Sequence, residues 1–417
     1  MQHIIIGAGP AGVVAAETIR QYDPTSAITI IGDEPEPPYS RMAIPYYLIK
    51  NIDESGSYLR DPINHYRKLD IELLQMRVDQ VDAANKQVKL ADGSARDYDK
   101  LLIATGSRPV SPPIPGLNLP QVHSCWTLKD ARSIAELAQP GANVVLIGAG
   151  FIGCIILEAL VRRGINLSVI ETGNRMVPRM LNEKAGGLLK QWCIDKGIDV
   201  HTSCSVQSVT STDNGVEVSL SDGDKLPAAL VITATGVKSN LEMLEGSGIE
   251  VDQGIVVNNH MQTSLSEIYA AGDVAQGMDF STGKHEVQAI QPTATDHGRI
   301  AGMNMAGKDI AHHGTVNMNV LDTVGLISCS FGLWMGIEGG AQAELYSPDQ
   351  YQYMNLQFDD NCLVGASCVG KTQHVGVLRG LIESRIQLGV WRQRLLDNPT
   401  LIMEAYMACT QELSYSP

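Results

Sequence analysis

Two glycine runs in this chain have the spacing with which a protein backbone receives a pyrophosphate. Gly7-Ala8-Gly9-Pro10-Ala11-Gly12 follows Ile4-Ile5-Ile6, and Gly148-Ala149-Gly150-Phe151-Ile152-Gly153 follows Val144-Val145-Leu146-Ile147. In G-x-G-x-x-G between a strand and a helix, the first glycine makes the tight turn, the second lets the pyrophosphate reach the backbone and the third lets the helix pack close. Amides at the helix N-terminus then hold the phosphate charge. An acidic residue about 20 positions on is placed to accept from ribose hydroxyls. Here that residue is Asp33 or Glu34 for the first run and Glu171 for the second. A further segment, Ile268-Tyr269-Ala270-Ala271-Gly272-Asp273, ends a strand at Gly272, which permits close backbone approach, and at Asp273, whose carboxylate can accept from a sugar-alcohol hydroxyl.

The elements that must position these residues are marked by short β-branched runs closed by glycine, the punctuation of a nucleotide-binding α/β fold. Helix-compatible residues 13–21 and a strand at 28–31 complete the first unit. A helical stretch to 163 and a strand at 167–170, ending at Glu171, complete the second. Leu101-Leu102-Ile103-Ala104-Thr105-Gly106 and Val231-Ile232-Thr233-Ala234-Thr235-Gly236 are strand-to-turn elements that carry the chain between domains, and Pro109, Pro112, Pro113 and Pro115 mark a crossing linker. The second unit therefore reads as an insertion into the first domain. The predicted boundaries are 1–111 and 237–313 for the first domain, 112–236 for the inserted one and 314–417 for a tail. In the tail, strands are predicted at 319–325, 352–358 and 362–369, with an apolar helix over 375–396. Ala289-Ile290-Gln291-Pro292 opens a helix running to Gly307.

The chain has 417 residues, and at roughly 150 residues per domain that is a prior of about three domains. Hydrophobic residues at 44% supply a large core, and a net charge of −15 repels polyphosphate, which argues against nucleic acid as a partner. No apolar run reaches the ~18 residues of a membrane span, and the expected location is cytoplasmic. The eight cysteines, at 125, 154, 193, 204, 329, 362, 368 and 409, show no spacing of a redox dithiol, zinc knuckle or iron–sulfur cluster, and the histidines show no metal spacing. No metal is expected.

With these motifs in place, the chain resembles the FAD-dependent pyridine nucleotide oxidoreductases that include rubredoxin reductase, the flavin portion of assimilatory nitrite reductase and coenzyme A disulfide reductase. The resemblance covers nearly all of the chain. It is carried by residues 7–12, Pro38-Tyr39-Ser40-Arg41, Ala104-Thr105-Gly106-Ser107-Arg108-Pro109, residues 148–153, the run from Gly254 to Asp273 and the run from Gly298 to Gly307. It implies two Rossmann-like three-layer nucleotide-binding domains of the glutathione reductase-like type plus a C-terminal α+β domain. The first domain would hold FAD, with Arg41, Val78 and Arg108 near the isoalloxazine or diphosphate, and the helix after Ile290 aimed at the flavin. The inserted domain would hold NAD(H), with Gly236 at its exit. The tail would form the family's interface domain.

Two departures from the family pattern bear on chemistry. Relatives with a redox-active cysteine carry it in an Asn-Cys-Gly-Leu-Pro-Tyr-Tyr type segment, and this chain reads Arg41-Met42-Ala43-Ile44-Pro45-Tyr46-Tyr47. Met42 falls at the nucleophile position, and a thioether has no ionisable thiol. The Lys and Glu that many relatives pair near the flavin are replaced by Tyr46 and Ile155, with Lys50 and Glu158 nearby in sequence. Glu171 points to NADH, since a carboxylate there accepts from a 2′-hydroxyl and repels a 2′-phosphate; Arg175 argues the other way. No catalytic acid or base is expected, because hydride transfer between cofactors needs alignment and electrostatics. In the tail, Arg379, Arg385, Arg392 and Arg394 against Glu383 read as a solvated face, with a docking patch for an acidic redox protein as the alternative. The implied activity passes hydride from NADH to FAD and electrons onward to a redox protein, a rubredoxin, ferredoxin-like or other iron–sulfur carrier. The alternatives are an NADH oxidase using dioxygen, or a non-turnover flavin-bearing subunit of a larger complex.

Overall fold

Ile4, Ile5 and Ile6 are buried because the strand that carries them lies inside a parallel sheet, where an unbroken apolar run meets protein on both faces. The computed structural model describes residues 1–415 and is mixed α/β. Contacts divide it into two compact units. The first contains Met1–Val110, Trp126–Leu128 and Val237–Thr315; the second contains Ser111–Cys125, Lys129–Gly236 and the chain from Val316 onward.

In the first unit, five parallel strands lie in the spatial order Ile268–Ala270, Lys100–Ile103, Gln2–Ile6, Ala27–Gly32, Ile71–Gln75. Parallel pairing puts the residues that follow these strands, Gly7, Asp33, Ala104 and Ala271, on one edge, where open α/β sheets bind ligands. The helix Pro10–Tyr22 buries Val13, Ala16 and Ile19 against this sheet. The helix Gln291–Met305 lies along it so closely that a Cβ on Gly298 would sit 2.3 Å from the Ala11 carbonyl oxygen. Only glycine allows that approach.

In the second unit, another five parallel strands run in the order Asp199–Thr202, Asn166–Glu171, Asn143–Ile147, Leu230–Thr233, Val122–Ser124. A five-stranded antiparallel sheet follows, in the order Met318–Thr323, Leu326–Gly332, Cys362–Val369, Gln352–Asp359, Ala341–Ser347. One of its faces carries Cys329, Phe331, Leu356 and Cys368, all buried. Its Val324 turn is fixed to the nucleotide-type domain: the Val324 N–H donates to Glu158 at 2.6 Å, and the Trp192 indole N–H donates to the Val324 carbonyl at 3.2 Å. Glu158 also pairs with Arg162 at 3.2 Å, so it tethers the sheet and is not a free helix-surface carboxylate.

The tail differs from its sequence reading. The expected helix over 375–396 is two helices, Val375–Ser384 and Val390–Asp397, because Arg385 adopts a left-handed conformation with φ +49° and ends the first one. Leu326–Gly332, Ala341–Ser347 and Ile402–Tyr415 are a strand, a strand and a helix that the pattern did not mark. No described helix is long and apolar enough to cross a membrane.

Candidate active site: two glycine cradles

Gly7 takes φ +116°, and a Cβ there would meet the Ala104 carbonyl oxygen at 2.1 Å, so the first run is pressed against the turn of Ala104, Thr105 and Gly106. A Cβ on Gly12 would lie 2.0 Å from the Gly7 carbonyl oxygen, which is the helix-to-loop contact the third glycine exists to allow. Gly9 is different: its Cβ would meet nothing within 4 Å. The backbone is open there, at the start of a helix with Pro10 in its first turn and no acidic residue in that turn. Gly272 closes the edge, its Cβ position 3.3 Å from Ala11 Cβ and 3.4 Å from that of Ala294, at the end of the first turn of the helix capped by Ile290.

Asp273 is held beside this edge. Ser107 donates its hydroxyl to Asp273 Oδ2 at 2.8 Å, and Ser239 donates to the Asp273 carbonyl at 2.9 Å. Burial lifts the Asp273 carboxyl above its ordinary range, opposed by the Ser107 bond and by the nearby Arg41 charge. Of the two acids after the second strand, Asp33 is exposed. Glu34 is engaged, accepting from Arg41 Nη2 at 2.6 Å and from the Tyr39 hydroxyl at 2.6 Å. Arg41 also lies over the Trp126 ring, 5.0 Å to the centroid. Ser40 donates to Gln291 Oε1 at 2.5 Å, joining the Arg41 loop to the N-terminus of the long helix. Arg108 turns to Asn240 Oδ1 at 2.7 Å and to Glu242, and Val78 is buried in the core. Met42, in the 3-10 turn Arg41–Ala43, and Tyr46, in the short helix Ile44–Leu48, are 48% and 56% exposed, so neither is a core residue. Lys50 is exposed as well.

The second cradle repeats the first. Gly148 has φ +102° with its Cβ position 2.5 Å from the Ala234 carbonyl oxygen, Gly153 would meet the Gly148 carbonyl at 2.1 Å, and Gly150 faces open space. Phe151 and Ile152, half-buried, begin the helix, again without an acid in its first turn. Gly236 follows the Leu230–Thr233 strand. Glu171 is tied to the loop backbone, an engagement the ribose reading did not include. It is 8% exposed; Oε2 accepts from the Ala149 N–H at 2.8 Å and Oε1 from the Gly173 N–H at 2.7 Å. Arg175 is fixed by its own loop, donating to the Leu181 carbonyl at 2.8 Å and to Asn174 Oδ1 at 2.9 Å.

Both loops thus present open backbone and an acid-free helix N-terminus to a phosphate, which fits a dinucleotide in each unit. A family profile described as pyridine nucleotide-disulphide oxidoreductase matches residues 1–298. The chain belongs to this family. Its cofactors are FAD and NAD(H), and it is an NADH-dependent oxidoreductase. It is 32% identical to the NADH-dependent phenylglyoxylate dehydrogenase subunit epsilon of Aromatoleum evansii, over 98% of each chain. It is 33% identical to an NADH oxidase of Methanocaldococcus jannaschii, over 77% of this chain and 73% of the relative. Among solved structures, the covalent putidaredoxin reductase–putidaredoxin complex superposes with TM-score 0.90 at 26% identity, covering 98% of this chain and 99% of that one.

Of the residues that hold the others, Ser107 and Gln291 stand in marked runs without a role of their own, and Ser239 and above all Trp126 went unmarked. Spacing carries no signal for Trp126, which lies 85 residues from Arg41.

His297, in the second turn of the Gln291–Met305 helix, is 3% exposed and packs edge-on against His312 at 4.9 Å. Burial pushes its pKa down to about 3, with His312 adding to the effect; His312 is itself lowered by burial and by His313, and raised by Asp296. An unfolded histidine titrates near ~6.5, so below that pH the unfolded chain takes up a proton that the folded one refuses. The stability is therefore complete above about pH 6.5 and is lost as the pH falls toward the folded value, by on the order of a few kcal/mol. The melting temperature should drop between about pH 8 and pH 5, and His297→Gln should flatten that slope. An unchanged slope in His297→Gln would remove this histidine from the account.

Proposed function

We propose that the chain is an FAD-dependent NADH:acceptor oxidoreductase that passes electrons to a separate redox protein, a rubredoxin, ferredoxin-like or other iron–sulfur carrier. Residues 1–111 and 237–313 hold FAD, residues 112–236 hold NAD(H), and residues 314–417 form the C-terminal domain. The observation that carries the reading is the pair of open glycine cradles, at Gly9 and Gly150. The acceptor class is supported by the solved putidaredoxin reductase–putidaredoxin complex, whose fold matches 98% of this chain, while the A. evansii relative, named as one subunit of a dehydrogenase, is what keeps the subunit alternative in play.

Bound FAD supplies the conversion between two-electron and one-electron transfer. The chain's own residues bind and orient. Gly9 and Gly150 admit the pyrophosphates, the helix N-termini hold their charge, Asp273 accepts from a sugar-alcohol hydroxyl of the flavin side chain, and Asp33 takes the adenosine ribose because Glu34 is committed to Arg41 and Tyr39. Glu171 selects NADH with the lone pairs that its bonds to the Ala149 and Gly173 amides leave open, since each carboxylate oxygen can accept twice and, unlike Glu34, it is paired with no cation among the described residues. Eight free cysteines accord with the reducing, cytoplasmic setting we propose. Anaerobic stopped-flow mixing with NADH tests the reading. The flavin should bleach within the dead time or shortly after and recolour on adding a one-electron acceptor. No bleaching would leave the non-turnover subunit, and recolouring by dioxygen as fast as by an iron–sulfur protein would favour the oxidase.

Turnover should need no cysteine. Met42 stands where a nucleophile would, and all cysteines except Cys362 are buried. Cys154, which follows the second glycine run, has its thiol pushed well up by burial, so it is no thiolate at neutral pH. Anaerobic titration should stop at two electrons per FAD, and alkylating the folded protein should leave ferricyanide reduction nearly unchanged. Four-electron uptake, or loss of NADH oxidation in Cys154→Ala, would restore thiol chemistry.

A further inference from the structure

We infer that Trp126 is a positioning residue for cofactor binding, holding the Arg41 guanidinium in one plane at the mouth of the first cradle; the inference rests on the reading that this unit binds FAD. Arg41 is gripped on an edge and on a face. Its Nη2 donates to Glu34 Oε1 at 2.6 Å, its Nη1 to the Trp126 carbonyl at 3.3 Å, and its Cζ sits 5.0 Å from the centre of the indole. The side chain stays 38% exposed, and a guanidinium has five N–H donors, so donors remain for an anion.

Trp126 is itself anchored. Its indole N–H donates to the Ser107 carbonyl at 3.0 Å, and the Ser107 hydroxyl donates to Asp273. Two residues on, the Leu128 N–H donates to the Tyr39 hydroxyl at 3.3 Å, and Tyr39 donates to the same Glu34 that pairs with Arg41. Glu34, Arg41, Trp126, Ser107 and Asp273 therefore form one connected chain. It joins the acid after the second strand to the carboxylate beside Gly272. Every link carries a hydrogen bond, and the Arg41–Trp126 link adds the ring face, which is the part the Trp126 side chain supplies.

A stacked guanidinium keeps its fork aimed; an ammonium on a flexible stem does not. The Arg41 charge is felt at Asp273, so its position matters to that carboxyl as well. A Trp that merely filled space would leave FAD affinity unchanged in a folded Trp126→Leu, or would add its loss independently to that of Arg41→Leu.

The test uses the full-length protein stripped of flavin and titrated with FAD, read by quenching of flavin fluorescence and by visible circular dichroism of the bound flavin. Trp126→Leu should weaken FAD about tenfold and change the dichroism, and Trp126→Phe, which keeps a ring face, should restore most of both. Arg41→Lys should lose nearly as much as Trp126→Leu. In Arg41→Leu the further change Trp126→Leu should cost nothing more, because the two act as one unit. Wild-type affinity in Trp126→Leu, or losses that simply multiply, would overturn the proposal. If Trp126→Leu does not fold, Arg41→Lys decides, since wild-type affinity there also overturns it. A wild-type protein that binds no FAD is a different failure, of the FAD reading itself.

Discussion

Gly9→Val is expected to fold normally and to purify without flavin. Gly9 has φ −80° and ψ −176°, an extended conformation open to any residue, and its Cβ would meet no atom within 4 Å. The substitution therefore costs the folded chain little, while its isopropyl group occupies the space through which a pyrophosphate must reach the loop amides. Gly12→Val is the internal contrast. There a Cβ would lie 2.0 Å from the Gly7 carbonyl oxygen, a backbone atom held in turn against Ala104 by the φ +116° turn at Gly7. Overpacking of that kind costs about 1–3 kcal/mol or more, because backbone has to move. Gly9→Val should match the wild-type melting temperature measured without flavin, with the flavin-to-protein absorbance ratio near zero. Gly12→Val should lose both. Full flavin occupancy in Gly9→Val would place the cofactor elsewhere.

The contrast between those two glycines also marks what could be read in the chain before its fold was known. The runs at 7–12 and 148–153 were legible because their chemistry is local: strand, turn and helix follow one another, and each glycine has a role set by its neighbours. Glu171 was legible as an acid at the right distance. Its second role was not, since bonds to Ala149 and Gly173 depend on the loop's exact path. The Glu34–Arg41–Trp126 chain was invisible for a different reason. Trp126 returns to the first unit from a segment whose neighbours belong to the second, and no periodicity records that crossing. In the tail, the helix break at Arg385 was missed because a non-glycine residue rarely takes φ +49°. The strand Leu326–Gly332 was missed because buried Ser328 and Ser330 interrupt the apolar signal, and Ala341–Ser347 because Ala343 is its one buried residue and too small to mark a strand.

Glu171→Arg is expected to abolish the use of both nicotinamide nucleotides rather than exchange one for the other. In the unmodified protein, NADH should outperform NADPH by about tenfold or more, equivalent to roughly 1.4 kcal/mol, from hydrogen bonding to the 2′-hydroxyl and repulsion of the 2′-phosphate. An arginine at 171 would on that ground alone attract NADPH. The structure adds a cost on the other side. The carboxylate is 8% exposed and accepts from the Ala149 and Gly173 N–H groups, while the Val177 N–H holds the Ala149 carbonyl at 2.8 Å, so the middle of the glycine loop is gripped from both sides. A cation supplies no acceptor, and two buried amides left unpaired cost about 1–3 kcal/mol each. The loop that receives the pyrophosphate would open before any selectivity could be expressed. Glu171→Gln separates the two roles. It keeps an acceptor oxygen for one amide, removes the charge, and should narrow the ratio of kcat/KM for NADH over NADPH toward one with a modest fall in melting temperature. Equal use of both nucleotides by the unmodified protein would refute Glu171 as the selector. A Glu171→Arg variant that inverts the preference at unchanged melting temperature would show instead that the carboxylate selects the nucleotide without supporting the loop.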